Sequence, residues 1–106
     1  MTFDDLIFQN KYDGFSSRTD FGHLILSVQC GWCNYCEPRE TKKSVDDYFS
    51  FEIAIINKDD GSWQTSNYIE TDDDVAGWVT RSQINEVIDK LKVFLREEKI
   101  KDILNE

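Results

Sequence analysis

The chain has 106 residues, of which 40% are hydrophobic and 31% charged, and its formal net charge is −9. This composition is typical of one folded domain, residues 1–106, and argues against a disordered chain. No apolar run approaches the roughly 20 residues that span a bilayer, and the first residues do not resemble a signal peptide, so we expect a cytoplasmic protein.

The negative charge is concentrated in the middle third of the chain. Residues 44–80 hold nine acids and one base, whereas residues 1–43 and 81–106 are close to neutral. A field of one sign repels nucleic acid and attracts basic surfaces. We therefore expect no direct binding of DNA or RNA by this region.

The first half of the chain predicts a short helix, a loop and a strand. Thr2 with Asp5 three residues on is typical of a helix N-terminus, so residues 2–9 are predicted to be helical, with Phe3, Leu6 and Ile7 on one side. Residues 10–22 are rich in turn formers and are predicted to be a loop. From His23 onwards the pattern alternates and predicts a half-buried strand. Its inner face would carry Leu24, Leu26, Val28, Cys30 and Trp32.

Two further strands are predicted after a charged loop. Residues 48–57 alternate, with Phe49, Phe51, Ile53 and Ile55 on one face. The following Asp60-Gly61 is a strong hairpin signal, so a third strand is expected within residues 62–69. The order of elements favours an antiparallel meander of three strands.

The clearest element is a C-terminal helix. Thr80 and Gln83 form a capping box, and an apolar stripe follows at helical spacing. The stripe consists of Ile84, Val87, Ile88, Leu91 and Leu95. The predicted fold class is therefore α+β, a three-stranded antiparallel sheet with this helix packed on one face and a short helix at the N-terminus.

Three apolar residues, Val93, Ile100 and Leu104, fall opposite that stripe if the helix continues unbroken. Two explanations are open. The chain bends near Glu97 and starts a second short helix, which we favour because most helices run about 8 to 20 residues. Alternatively, the far side packs on a second copy of the chain and makes a homodimer.

All three cysteines lie in the stretch "CGWCNYC", at Cys30, Cys33 and Cys36. This spacing resembles the start of the bacterial ferredoxin run, but Glu40 stands where the fourth cysteine would be. Zinc would need a fourth ligand, and His23 is a candidate, although it lies about 23 Å up the predicted strand from Cys30. We favour a structural interpretation in which Cys30 is a core residue, with a zinc, iron–sulfur or redox site as the alternative.

Motifs of catalysis are missing from the sequence. His23 is the only histidine, and nothing places it beside a thiol as a general base. The chain has no glycine-rich phosphate loop, no serine nucleophile elbow and no HExxH motif. We therefore predict that the protein is not an enzyme and needs no cofactor.

The acidic side chains and one tryptophan of the middle third are the predicted partner-binding residues. Aromatic residues beside acids are typical of interfaces that pack arginine-rich partners. The set consists of Asp46, Asp47, Asp59, Asp60, Trp63, Glu70, Asp72, Asp73 and Asp74. Trp78, directly before the helix cap, is instead predicted to fill the core.

These features predict a small acidic intracellular protein that binds and inhibits a basic, nucleic-acid-binding partner. Its carboxylates would stand in for DNA phosphates. In size, charge and lack of catalytic motifs the chain is similar in type to the small inhibitors that phages encode, including anti-CRISPR proteins and other antagonists of host defence. The alternative prediction is a metal or redox module built on the three cysteines.

Overall fold

The chain folds as an α+β unit in the computed structural model, which describes residues 1–11 and 13–104. Within these residues, five strands form one antiparallel sheet in the order β1-β2-β3-β4-β5. The strands are β1 (Gln9–Asn10), β2 (Gly14–Phe21), β3 (Leu24–Gly31), β4 (Phe51–Asn57) and β5 (Ala76–Val79). One long helix, α1 (Arg81–Leu104), packs on one face of the sheet. The α+β class, the antiparallel sheet and the C-terminal helix are thus confirmed, whereas the prediction of three strands was wrong.

The prediction of a loop over residues 10–22 was wrong, because most of this segment is strand β2. All eight residues of β2 pair with β3, and a two-residue turn connects the two strands. Gly22 occupies the first turn position with a φ of +66°, as a type II′ hairpin requires. Ser17 and Thr19 take inward positions that apolar residues usually hold, and this hid the alternation.

The prediction of a strand within residues 62–69 was also wrong. Trp63 makes a single bridge to Ile56, and residues Thr65–Asn67 then form a 3-10 turn. The hydroxyl of Thr65 accepts a hydrogen bond from the backbone N–H of Ile55 and donates one to the carbonyl of Asp74. This side chain takes the place of a backbone partner, so the chain leaves the sheet and β5 pairs with β4 instead.

The N-terminal helix is only a 3-10 turn, Phe3–Asp5. The capping contact is present, since the backbone N–H of Thr2 donates to the Asp5 carboxylate over 2.8 Å. Phe3 and Leu6 are buried, whereas Ile7 is exposed, contrary to the prediction. The turn ends early because the chain becomes extended at Leu6 and then enters β1.

The inward faces of β3 and β4 agree with the predicted alternation. Buried there are Leu24, Leu26, Val28, Cys30, Phe51, Ile53 and Ile55. Trp32 and Phe49 were predicted on the same face but are exposed, since each lies outside the strand whose alternation it seemed to continue. Tyr48 is buried instead, and its hydroxyl donates to the carbonyl of Glu40 over 2.6 Å.

Helix α1 begins at the predicted capping box and runs unbroken through 24 residues. The backbone N–H of Thr80 donates to the Gln83 side chain, and the backbone N–H of Gln83 donates to the Thr80 hydroxyl. Ile84, Val87, Ile88 and Leu91 are buried and Leu95 is partly buried. The favoured bend near Glu97 is wrong, because no proline or glycine interrupts the helix.

The far side of α1 is exposed at Val93, Ile100 and Leu104. The unbroken helix removes the first of the two explanations and does not test the second. A homodimer through these three residues stays a prediction.

We expect Leu91→Ala to lower the free energy of unfolding by about 2–5 kcal/mol, because it removes a fully buried side chain and leaves a cavity. Val93→Ala, two residues away on the exposed side, should change it by no more than about 0.5 kcal/mol. Urea unfolding measures both. Equal losses in the two variants would contradict a helix packed through a single stripe.

Candidate functional site

A β-bulge distorts the edge strand β5. Phe51 pairs with Val79 and Ile53 pairs with Ala76, so two residues of β5 stand opposite the one residue between them on β4. The second of the two, Trp78, has a φ of +52°, which a bulky side chain rarely adopts. Bulges re-aim side chains, and Trp78 is 57% exposed. Strained backbone at an exposed aromatic residue marks a candidate functional position.

Trp78 belongs to a small surface cluster with Tyr35 and Arg39, which we call the aromatic platform. The backbone N–H of Trp78 donates to the carbonyl of Tyr35 over 2.9 Å, and the two ring centroids are 5.4 Å apart. The Arg39 guanidinium lies 5.1 Å from the centroid of the Tyr35 ring. Tryptophan, tyrosine and arginine are the residues enriched in interface hot spots.

A cleft of about 460 Å³ opens beside Trp78, between β5, the first turn of α1 and the preceding loop. Glu70 and Asp72 line this cleft together with Trp78. Carboxylates attract a cation by charge and an indole face attracts it by its quadrupole. The cleft therefore has the chemistry to receive a basic side chain.

The loop that carries these acids is held by its own side chains. The hydroxyl of Thr71 donates to the carbonyl of Val75 over 2.9 Å and accepts from the backbone N–H of Asp73. The Asp73 carboxylate accepts from the backbone N–H of Asp74 over 2.7 Å. We call the four carboxylates of Glu70, Asp72, Asp73 and Asp74 the acidic edge. Within residues 1–11 and 13–104 none of the four forms an ion pair.

The other predicted acids lie elsewhere. Asp46 and Asp47 lie in a 3-10 turn before β4, whereas Asp59 and Asp60 follow its far end. Seven residues of strand at about 3.3 Å each place these two pairs about 20 Å or more apart. The predicted set is therefore divided among three places. The acidic edge is the group of four carboxylates that lies beside Trp78, and Lys90 is the cation near it, in a groove that Glu70 also lines.

The local roles of the separated acids are structural. Asp47 accepts from the backbone N–H of Ser44 and lines a groove with Lys42 and Lys43, so its surroundings are of mixed charge. Asp60 accepts from Ser62, and these hydrogen bonds lower the pKa of the Asp60 carboxyl.

Trp63 is 49% exposed but lies on the outer face of the sheet, where it lines a groove with Arg18 and Val75. The predicted tryptophan is therefore not the one beside Glu70 and Asp72.

His23 lies in the turn between β2 and β3, with a carboxylate at each ring nitrogen. Its Nδ1 is 2.8 Å from the Asp59 carboxylate, and its Nε2 is 2.7 Å from the Glu98 carboxylate. These contacts tie the two sheet turns to the second half of α1. The structure does not bring His23 to the cysteines, which lie at the other end of β3 and beyond it.

The three cysteines are free thiols, and two of them are buried. Burial raises the pKa of Cys30 to about 12. Burial is also the main cause that raises the pKa of Cys36, whose sulfur accepts from the backbone N–H of Gly31 and donates to its carbonyl. Protonated, buried thiols are chemically inert and pack as small apolar side chains. Cys33 alone is exposed.

In the described part of the chain, no three or more His, Cys, Asp or Glu side chains are grouped so that they could hold a metal ion. The zinc or iron–sulfur alternative at Cys30, Cys33, Cys36 and His23 therefore stays a prediction from cysteine spacing. A redox role for the cysteines likewise stays a prediction.

Sequence reasoning missed the aromatic platform. Trp78 was predicted to fill the core, but its side chain is exposed. The available signal was Gly77, because an isolated glycine in a strand indicates a bulge. Tyr35 and Arg39 carried no comparable signal, since the loop that holds them has no periodicity.

The chain matches no protein-family model, no curated protein sequence and no solved structure. Among the residues that the structure describes, no helix is long and apolar enough to cross a membrane.

We expect one thiol to react rapidly with a thiol-specific reagent at pH 8 in the native state. That thiol is Cys33, because Cys30 and Cys36 are buried and protonated. Mass spectrometry of the labelled peptides identifies the site, and labelling in urea should modify all three. Rapid native labelling of Cys36 would contradict its burial.

Ionisation of Cys30 should destabilise the fold at high pH. In the unfolded chain this thiol loses its proton near its ordinary pKa of 9.0, whereas in the fold it does so at about 12. Between these values the unfolded state binds fewer protons, so stability falls as pH rises, by up to about 1.4 kcal/mol per pH unit. Urea unfolding at pH 8 and pH 10.5, with reductant present, should show a smaller loss for Cys30→Val than for wild type. Cys33→Ala should lose as much as wild type, and equal losses for all three proteins would contradict the shift.

Proposed function

We propose that this protein is a small cytoplasmic binding protein that docks a basic surface of a partner protein through the acidic edge and Trp78. The observation that carries the proposal is that carboxylates, which form no ion pair within residues 1–11 and 13–104, lie around one cleft with an exposed tryptophan. The protein acts by occupying that surface and so inhibits the partner, without catalysing a reaction and without a cofactor.

Charge and packing contribute differently to such a complex. The acidic edge attracts and orients a basic partner from a distance, which raises the rate of association. Trp78 supplies apolar area on which an arginine side chain of the partner stacks, next to the Tyr35 ring that Arg39 already contacts. A cleft beside them holds the cation close to Glu70 and Asp72, where partial desolvation strengthens the contact.

A nucleic-acid-binding protein is the partner class that this chemistry suits best. Surfaces that bind phosphates are rich in arginine and lysine, and a row of carboxylates presents them with a similar charge. This is the mode of action of a DNA mimic, and it agrees with the general likeness to phage-encoded antagonists noted from the sequence. The acidic net charge of −9 supports the same partner class.

The test replaces Asp72, Asp73 and Asp74 by Asn, which keeps the loop's hydrogen-bond acceptor at Asp73 and removes three charges. Protein captured from a lysate at low salt is identified, purified and titrated with wild type and variant. We expect the variant to bind at least about tenfold more weakly, and wild-type affinity to fall as salt rises from about 50 to 500 mM.

A matched control removes three charges elsewhere. The Asp4→Asn/Asp46→Asn/Asp102→Asn variant has the same net charge, and these exposed carboxylates lie at three separate places without a side-chain ion pair within the described ranges. This control should bind nearly as tightly as wild type. Equal weakening of both variants, or an affinity that salt does not change, would sink the proposal.

A further inference from the structure

The outer face of the sheet, opposite α1, contains a trough at the middle of its strands. The register places Arg18 of β2 opposite Ser27 of β3, which in turn lies opposite Ala54 of β4. Two of the smallest side chains therefore stand side by side on the central strands. These small side chains leave a shallow depression between Arg18 and the chain segment that follows β4, which includes Trp63.

Trp63 and Val75 form the opposite wall of the trough, and Ile56 lies at one end. The enclosed volume is about 250 Å³. Trp63 is about half exposed, so part of its side chain is accessible to a ligand. The far wall is thus apolar and partly aromatic, whereas Ser27, Gln29 and Glu52 add polar groups to the lining. Apolar surface with a few polar groups is typical of small-molecule sites.

The lining of the trough carries one positive and one negative side chain, and the Arg18 guanidinium is the group there that can pair with an anion. Arg18 is the single cation among the lining residues, and within the described chain its guanidinium has no hydrogen bond, ion pair or ring contact. Glu52 is the single carboxylate there, and it already accepts the backbone N–H of Tyr35 over 2.9 Å.

We propose that this trough binds a small planar aromatic carboxylate. The carboxylate pairs with the two-pronged guanidinium of Arg18, a geometry that suits a bidentate hydrogen bond. The ring lies over Ala54 and against the indole of Trp63, where offset or edge-on ring contacts are favourable. A volume of about 250 Å³ is below that of most drug-sized sites, so the ligand has one ring rather than several.

This site does not depend on the proposed function. The residues that carry it are Arg18, Ala54 and Trp63, and none of them belongs to the acidic edge or the aromatic platform. Each proposal can fail while the other holds.

The test titrates ¹⁵N-labelled protein with benzoate and follows the indole N–H resonance of Trp63, assigned with a Trp63→Phe variant. We expect a saturable shift with a dissociation constant in the millimolar range, as suits so small a ligand. Benzamide has the same ring and shape but no charge, and acetate has the charge but no ring. Both should bind at least about tenfold more weakly.

Two variants locate the site. Arg18→Gln removes the charge from an exposed side chain and should weaken benzoate binding at least about tenfold. Ala54→Leu fills the floor and should abolish the shift, while far-UV circular dichroism shows that both variants remain folded. Arg96→Gln, on the helix, should bind as wild type does.

The proposal is overturned if benzoate causes no saturable shift, or if benzamide or Arg18→Gln protein binds as well. It is also overturned if the shifts appear at Gln9 and Ser16 without Trp63. These residues line a second groove on the other side of Arg18, towards β1. Shifts at that place would assign the anion to the β1 side.

Discussion

One helix can cover only one face of a sheet, and the rest of this structure depends on that constraint. The inner residues of β3 and β4 are buried under α1, while the outer face and the edge strand β5 have no helix of their own in the described chain. Both proposed binding surfaces lie on these two parts of the sheet, which α1 does not cover. The acidic edge lies beside β5, and the trough lies on the outer face.

Arg81, the first residue of α1, ties the helix to the rest of the fold. Its guanidinium donates to the carbonyl of Tyr48 over 2.8 Å and to that of Val45 over 3.2 Å. It also lies 4.9 Å from the ring centroid of Phe3 and 5.1 Å from that of Phe51. Because its charge satisfies buried carbonyls and its plane stacks on aromatic rings, it holds the N-terminal turn, the loop before β4 and the helix together.

The fold was predictable where one period dominates the sequence. The alternation of β3 and β4 and the capping box and stripe of α1 each match the structure, because apolar burial sets those elements. Strand β2 was missed because Ser17 and Thr19 face inward. The prediction of a strand in residues 62–69 was wrong because the Thr65 hydroxyl takes the place of a backbone hydrogen-bond partner. The local sequence pattern gives no sign of this contact.

The candidate site was predictable only in part. The acidic character of residues 70–74 is visible in the sequence, but which acids lie together is set by the length of β4 and the path of the chain. Trp78 is exposed because it lies in a β-bulge, so the prediction that it fills the core was wrong. The trough beside Arg18 exists because the strand register places two small residues, Ser27 and Ala54, next to it. Register depends on pairing across the sheet, so the trough could not be predicted from the sequence of one strand.

The proposed function requires that the acidic edge is the surface that contacts the partner. Carbodiimide-driven coupling of an amine to exposed carboxylates, read by mass spectrometry with and without the bound partner, measures this residue by residue. We expect the partner to protect Glu70, Asp72, Asp73 and Asp74 from labelling, and we expect Asp46 and Asp60 to be labelled equally in both states. Protection confined to Asp46 or Asp60, with the acidic edge still labelled in the complex, would contradict it.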